Sequence, residues 1–134
     1  MKIKMLLFFL LIGGFAFAQE RSAAVEQAVR TQTERYQLTP AQVEEMYVIE
    51  ARRERNLNEL EQIRESDPRL YLEKKRSIRL NSEGSIRRIL DPRQRQILQQ
   101  EQAAYRTATS NLIREMRQAG KSKEEIEMII LERG

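Results

Sequence analysis

The chain has 134 residues with 24 lysines and arginines, 20 aspartates and glutamates, and neither histidine nor cysteine. Without cysteine, the protein has no disulfide, no thiol nucleophile and no site for a cysteine-linked lipid anchor. Without histidine as well, it lacks the usual ligands of zinc and copper, and a His-based catalytic triad or acid–base pair is excluded. The composition therefore argues against an enzyme and predicts no cofactor and no metal site.

The first eighteen residues show the order of charge, apolar segment and small residues that is typical of a cleavable export signal. Lys2 and Lys4 precede the apolar run Met5–Ile12, and the sequence Ala-Phe-Ala at 16–18 follows it. Counted from residue 5 to residue 18, the largely apolar stretch is 14 residues, short of the roughly 20 that span a bilayer as a helix. We therefore expect cleavage after Ala18, a periplasmic location, no stable membrane anchor, and a single domain over residues 19–134.

Removal of the signal also changes the charge of the protein. Residues 1–18 contain two lysines and no acidic residue, so 22 basic and 20 acidic side chains remain. The exported chain then has a net charge of about +2, obtained by subtracting these two counts, and strong binding to nucleic acid is not expected.

The exported part is rich in Arg, Glu, Gln and Leu and poor in aromatic residues, which favours helices over sheets. A first, weak helix is predicted over residues 21–36, where Ala24, Val25, Ala28 and Val29 form a narrow apolar stripe at helical spacing. Stability must come from helix packing or oligomerisation.

The clearest helix start in the sequence is Leu38-Thr39-Pro40-Ala41-Gln42. Thr39 is suited to the N-cap, Pro40 to the first helical position, and Gln42 can complete a capping box. Leu38 and Val43 have the spacing of a hydrophobic staple. We expect this helix to reach about Glu65, with a strongly charged middle at residues 50–55.

Asp67 and Pro68 predict the start of a third helix in the same way. One face of this helix is expected to contain Tyr71, Lys75, Ile78, Ser82, Ile86 and Ile89. Gly84 weakens a helix by about 1 kcal/mol relative to alanine, so a local bend is expected near residues 81–84.

The helix start recurs at Leu90-Asp91-Pro92-Arg93-Gln94, with Asp91 as the cap. This helix is expected to reach about Ala119, with an apolar stripe of Ile97, Leu98, Ala104, Tyr105, Ala108, Leu112 and Met116. Gly120 is suited to the position after a helix end. Ser122 and Glu125 form a further capping box before a short apolar helix containing Ile126, Ile129, Ile130 and Leu131.

The two long-helix starts lie 52 residues apart, at Leu38 and Leu90. We therefore predict an all-α fold of four to five helices, arranged as two helical hairpins. Too few large apolar residues are present for a thick core, which favours a thin helical assembly or a helical dimer.

With an intact LTxxQ motif at Leu38, Thr39 and Gln42, and a degenerate copy at Leu90, Asp91 and Gln94, the chain resembles the Spy/CpxP (LTxxQ) family of small periplasmic helical proteins. The resemblance covers roughly residues 31–119. It implies a curved, thin, antiparallel homodimer that acts as an ATP-independent chaperone or as a modulator of stress responses. Other members sense metals with His, Cys, Met or carboxylate ligands, and this chain lacks the first two. The motif residues themselves are explained by capping and hairpin organisation.

The candidate client-binding surface consists of three basic clusters and one apolar patch. These candidates are Arg52, Arg53, Arg55, Lys74, Lys75, Arg76, Arg79, Arg87, Arg88, Ile126, Ile129 and Ile130. Arginine and lysine combine long aliphatic stems with charged ends, so such faces can attract acidic segments and hold apolar ones weakly. The alternative interpretation is that the basic faces are simply solvated and that the isoleucines pack within the fold or across a dimer.

The leading functional hypothesis is a periplasmic chaperone for unfolded or aggregation-prone proteins. The alternative is an adaptor that binds the domain of an envelope-stress sensor kinase. A periplasmic metal sensor is disfavoured, because histidine and cysteine are absent.

Overall fold

The computed structural model describes residues 21–134, and the part of the chain that it describes is all-helical, without strands, as the composition predicts. The helices are α1 (Ala23–Tyr36), α2 (Pro40–Leu60), α3 (Pro68–Ile89), α4 (Pro92–Gln118) and α5 (Lys123–Arg133). The predicted export signal and its cleavage site after Ala18 lie outside the described residues. Within residues 21–134, no helix has both the length and the apolar character required to cross a membrane.

Every helix begins at a side-chain cap. The cap oxygen of each helix accepts a hydrogen bond from the backbone amide three residues later, and the caps are Ser22, Thr39, Asp67, Asp91 and Ser122. Complete capping boxes are present in α2, α4 and α5, where the side chain of the third helical residue returns to the cap amide. The predicted starts of these helices are therefore confirmed, because local hydrogen bonding alone determines them.

The end of α2 differs from the prediction. The α-helix stops at Leu60 rather than near Glu65, and a single 3₁₀ turn, Glu61–Ile63, follows it. In this turn the amide of Arg64 donates to the carbonyl of Glu61 at 3.3 Å. Such tightening is common at helix ends, and here it directs the chain into the turn that precedes Asp67.

Two left-handed residues end α1 and α4. Gln37 has φ 52° after α1, and Gly120 has φ 78° after α4. At the second end, the amide of Lys121 donates to the carbonyl of Met116 at 3.1 Å, which satisfies one of the free carbonyls of the last turn. Gly120 therefore has the predicted role, since glycine adopts this conformation without steric cost. At the other glycine of the helical region, Gly84, where a local bend is expected from the sequence, α3 continues as an α-helix without a break.

The helices pack in a short series of neighbours. The helix α2 lies against both α1 and α3, and α5 lies against both α3 and α4. The α2–α3 pair is antiparallel, because Arg52 in the middle of α2 donates to Ser85 near the end of α3, while Glu61, just after α2, accepts from Tyr71 near the start of α3.

The apolar core lies where α1, α2 and α3 meet the first turns of α4. Its buried members are Val25, Val29, Tyr36, Leu38, Met46, Ile49, Ile86, Leu90 and Leu98. Beyond Leu98, α4 leaves this core, and Ala104 and Ala108 of its predicted apolar stripe are exposed in the single chain. The expected charged middle of α2 also includes an exception, because Glu50 is buried among the helices.

Candidate functional site

The two LTxxQ-type motifs meet in space at a motif junction formed by Leu38, Thr39, Gln42, Leu90, Asp91 and Gln94. The side-chain amides of Gln42 and Gln94 bond to each other in both directions. Gln42 Nε2 donates to Gln94 Oε1 at 2.8 Å, and Gln94 Nε2 donates to Gln42 Oε1 at 3.0 Å. The residues that complete the two capping boxes therefore also join the two helix starts.

Each glutamine also reaches the backbone that precedes the other motif. Gln42 Nε2 donates to the carbonyl of Ile89 at 2.7 Å, and Gln94 Nε2 donates to the carbonyl of Gln37 at 3.4 Å. Both acceptors lie two residues before the cap of the opposite helix, so the junction has an approximate two-fold relation. With each Oε1 also accepting a cap amide, the polar atoms of both side chains are satisfied, which removes the penalty of burying them.

The buried apolar side chains around the junction also occur in pairs that are 52 residues apart in the sequence. Leu38 and Leu90 are both buried, and so are Met46 and Leu98, which are again 52 residues apart. The motif residues therefore hold the two helix starts together.

An open groove of about 1000 Å³ lies beside the junction, between the inner faces of α1, α2, α3 and α4. Its apolar surface is supplied by small and medium side chains from three helices and by two tyrosines: Ala24, Ala28, Tyr36, Leu80, Ile86, Leu98 and Tyr105. Leu80 is 48% exposed, although α3 packs against α2 and α5. The groove therefore presents apolar surface to solvent in an otherwise polar protein.

The charged lining of the groove is predominantly basic. Five arginines and three glutamates border it: Arg35, Arg53, Arg76, Arg79, Arg106, Glu50, Glu83 and Glu101. Three of the arginines form ion pairs with these glutamates, the longest at 3.5 Å. Within the described residues, Arg76 and Arg106 form no ion pair, although the end of the chain at Gly134 also borders the groove.

One wall contact joins α1 to α4 across the groove. The hydroxyl of Tyr36 donates to Glu101 Oε2 at 3.0 Å, and Arg35 lies 3.5 Å from the other oxygen of the same carboxylate. Burial, together with the hydrogen bond to Glu101, raises the pKa of Tyr36 to about 12. The phenol is therefore neutral at any physiological pH and acts as a fixed donor.

The structure brings some of the predicted basic residues together and separates others. Arg53, Arg76 and Arg79 border the groove, and Lys75 lines a small cavity beside it. The other five basic candidates lie outside both: Arg52, Arg55, Lys74, Arg87 and Arg88. Arg52 and Arg88 both donate to the hydroxyl of Ser85, at 2.7 and 3.0 Å. The basic clusters thus point in several directions, and only part of them faces the groove.

The apolar candidates of α5 lie against the rest of the chain. Ile126 is 8% exposed, while Ile129 and Ile130 are half-buried. Their helix contacts α3 and α4, and its position is also held by an ion pair between Arg69 and Glu127 at 3.1 Å. Much of this apolar surface is therefore used for packing within the chain.

Several groove residues were not identified from the sequence, notably Arg35, Tyr36, Leu80 and Arg106. A signal for the α4 wall was present, because Leu98, Glu101, Gln102, Tyr105 and Arg106 recur at the spacing of a single helix face. Because that face mixes apolar, acidic and basic side chains, a search of the sequence for apolar stripes does not identify it.

No known protein family, curated protein or solved structure shows significant similarity to this chain.

Proposed function

We propose that this protein is an exported, Spy/CpxP-like chaperone that binds unfolded or aggregation-prone proteins without ATP. The observation that supports this function best is the groove, which combines solvent-exposed apolar surface with arginines that lack ion-pair partners. An unfolded chain offers both kinds of complementary group, namely apolar side chains and acidic ones.

The physical properties of the groove favour weak and adaptable binding. Leu80 and the small side chains Ala24 and Ala28 offer a shallow apolar surface and no deep specific pocket. Arg76 and Arg106 can attract an acidic segment of a client over a long range, and their aliphatic stems can then pack against it. Because such contacts are individually weak, a bound client can move on the surface and leave without an energy source.

Export and self-association are part of the proposal. We propose that residues 1–18 direct the chain to the periplasm and are removed there, and that the exported chain forms a homodimer. Light scattering on purified protein checks the second point. A mass near twice that of the chain from Gln19 to Gly134 supports the dimer, and a monomer at micromolar concentration contradicts it.

The chaperone function is tested by the aggregation of an unrelated, chemically denatured protein on dilution, measured by light scattering. The double variant Arg76→Glu/Arg106→Glu reverses the two groove arginines that lack ion pairs. Arg30→Glu/Arg55→Glu is its matched control, because both of these arginines are exposed, lie outside the groove and form no ion pair. The two variants have the same net charge.

We expect near-stoichiometric suppression of aggregation by the unmodified protein and by the control, and a loss of most of that suppression in the groove variant. Equal protection by both variants would exclude the groove as the client site. No protection by the unmodified protein, together with specific capture of a sensor-kinase domain, would replace the chaperone function with that of an adaptor.

A further inference from the structure

The residues that follow Leu131, here called the α5 end (residues 132–134), lie at the groove. Gly134 is one of the groove's lining residues. The hydroxyl of Tyr105, which also lines the groove, donates to the main-chain oxygen of Gly134 at 3.1 Å. The guanidinium of Arg133 lies 5.8 Å from the centre of the same aromatic ring, within the range of a cation–π contact. Tyr105 therefore attaches the α5 end to the groove.

A small cavity of about 60 Å³ between α2 and α3 adjoins the groove at the same place. Leu57 and Ile78 supply its apolar walls. The cavity and the groove share four lining residues: Arg53, Arg76, Arg79 and Gly134. The three arginines belong to α2 and α3, whereas Gly134 directly follows α5. Displacement of the α5 end would therefore join the cavity to the groove and uncover its apolar walls.

The α5 end is held less firmly than the helix that precedes it. Ile126 and Leu131 anchor α5, with exposed fractions of 8% and 5%, whereas Glu132 and Arg133 are exposed. The last carbonyls of a helix have no partner within it, so the final residues of a helix separate readily from their surroundings. A hydrogen bond and an exposed cation–π contact are individually modest, so a ligand that offers similar contacts can replace them.

We propose that the α5 end is an autoinhibitory gate of the groove. In the closed state, the main chain of Gly134 occupies the hydroxyl of Tyr105, which is a donor that the main chain of a client can also use. A client that displaces the α5 end places an apolar side chain against Leu57 and Ile78. The closed gate lowers the affinity of the groove in proportion to the fraction of molecules in which it is open.

The gate rests on the proposed chaperone function for the identity of its ligand, and it adds a means of regulation to the same groove. Its sign separates it from a purely structural role. Loosening a gate raises the affinity of the groove, because the open state becomes more populated. Loosening a wall that the ligand needs lowers the affinity.

Two variants loosen the gate, and each has a matched control. Tyr105→Phe keeps the ring that lines the groove and removes the hydrogen bond to Gly134, and Tyr47→Phe is its control, because Tyr47 lies outside the groove. Arg133→Gln removes the cation–π contact. Arg117→Gln is its control, because Arg117 is also exposed, lies outside the groove and forms no ion pair within residues 21–134. Circular dichroism checks that all variants keep their helices.

The first probe is anilinonaphthalene sulfonate, an anionic dye whose fluorescence reports binding to apolar surface. We expect its affinity for the purified protein to rise about fivefold in Tyr105→Phe and about threefold in Arg133→Gln, and to change by less than about 1.5-fold in the controls. Loss of an arginine by itself weakens the binding of an anion, so a gain in Arg133→Gln cannot come from its charge.

The triple variant Tyr105→Phe/Arg76→Glu/Arg106→Glu locates the bound dye. Both arginines line the groove, so the gain should disappear in this variant. A gain that persists would show general loosening of the fold and would overturn the gate.

The aggregation assay then separates the gate from the chaperone function. At a sub-stoichiometric concentration of protein, the two loosened variants should suppress more aggregation of the denatured client than their controls. A gain in dye affinity without suppression by any of the proteins would support the gate and contradict the chaperone function. Suppression by the unmodified protein with unchanged or weaker dye binding in both loosened variants would overturn the gate and leave the chaperone function intact.

Discussion

The helices α2 and α4 begin in the same way and continue in different surroundings. Each starts with a capping box, a proline in the first turn and a glutamine that contacts the other start. After that, α2 is enclosed by α1 and α3 and buries Met46, Ile49 and Glu50. In contrast, α4 buries Gln94 and Leu98 and has no further fully buried residue until Met116, near α5.

The difference between α2 and α4 shows what a local motif determines and what it does not. Capping fixes where a helix starts, because all the necessary atoms lie within four residues. Whether the following turns are buried depends on how closely neighbouring helices pack, and the middle of α4 meets α1 and α3 through polar contacts, such as Tyr36 with Glu101 and Gln102 with Glu83. This looser packing leaves the groove open, so the same difference that weakens the packing of α4 creates the surface that we propose binds clients.

The largest expected effect comes from the two motif leucines. Leu90 is 2% exposed and Leu38 is 9% exposed, so Leu90→Ala removes more buried contact. We expect losses of about 4 kcal/mol for Leu90→Ala and about 3 kcal/mol for Leu38→Ala in the free energy of unfolding, measured by urea titration. Leu80→Ala, at a leucine that is 48% exposed, is the control and should cost under about 1 kcal/mol. The reverse order for the two motif leucines would contradict the view that the second motif lies deeper.

A smaller effect is expected from the glutamine pair. Gln94 is 2% exposed and Gln42 is half-buried, so Gln94→Ala should destabilise by about 2 kcal/mol and Gln42→Ala by about 1 kcal/mol. Because the two amides bond to each other, the double variant should lose less than the sum, by about 0.5–1 kcal/mol. A simple sum, found by the same urea titrations, would show that each glutamine serves only its own cap.

The smallest effect concerns the tie between α1 and α4 through Tyr36. The folded protein holds the pKa of Tyr36 at about 12, against an ordinary value of 10.0 in the unfolded chain. The stabilising contribution of the neutral phenol is therefore complete below pH 10 and is lost as the pH rises through about 12. Tyr36→Phe should reduce the fall in melting temperature over this window, as measured by circular dichroism, because the ionisable group is gone.

Tyr105→Phe is the control for the general loss of a phenol. The hydroxyl of Tyr105 donates to the main chain of Gly134 and not to Glu101. If Tyr36→Phe and the unmodified protein lose stability in parallel between pH 10 and 12, the pKa of Tyr36 is not raised in the folded protein.

Much of the fold is predictable from the sequence, because its main signals are local. The caps at Thr39, Asp91 and Ser122, and the left-handed residue Gly120, all follow from rules that involve neighbouring residues. The burial of Glu50 and the exposure of Ala104 and Ala108 could not be predicted in the same way. These features depend on which helix lies opposite each face.

The candidate site is predictable only in part, for the same reason. Arg53, Arg76 and Arg79 belong to basic clusters that are visible in the sequence, whereas Arg35 and Arg106 are isolated there and join the groove through tertiary packing. Conversely, Arg52 and Arg53 are adjacent in the chain but lie in different surroundings, since a helix turns by about 100° per residue. Proximity along the chain therefore overestimates how many basic residues act together.

The reciprocal bonds of the motif junction also affect how the protein folds. They join residues 52 positions apart, while the helices on either side form from local contacts. Local helices form within about a microsecond, whereas pairing of distant segments requires closure of a long loop, so the junction should assemble after both halves have formed. We therefore expect disruption of the glutamine pair to accelerate unfolding far more than it slows refolding. The junction would thus contribute mainly to the lifetime of the folded state once it is reached.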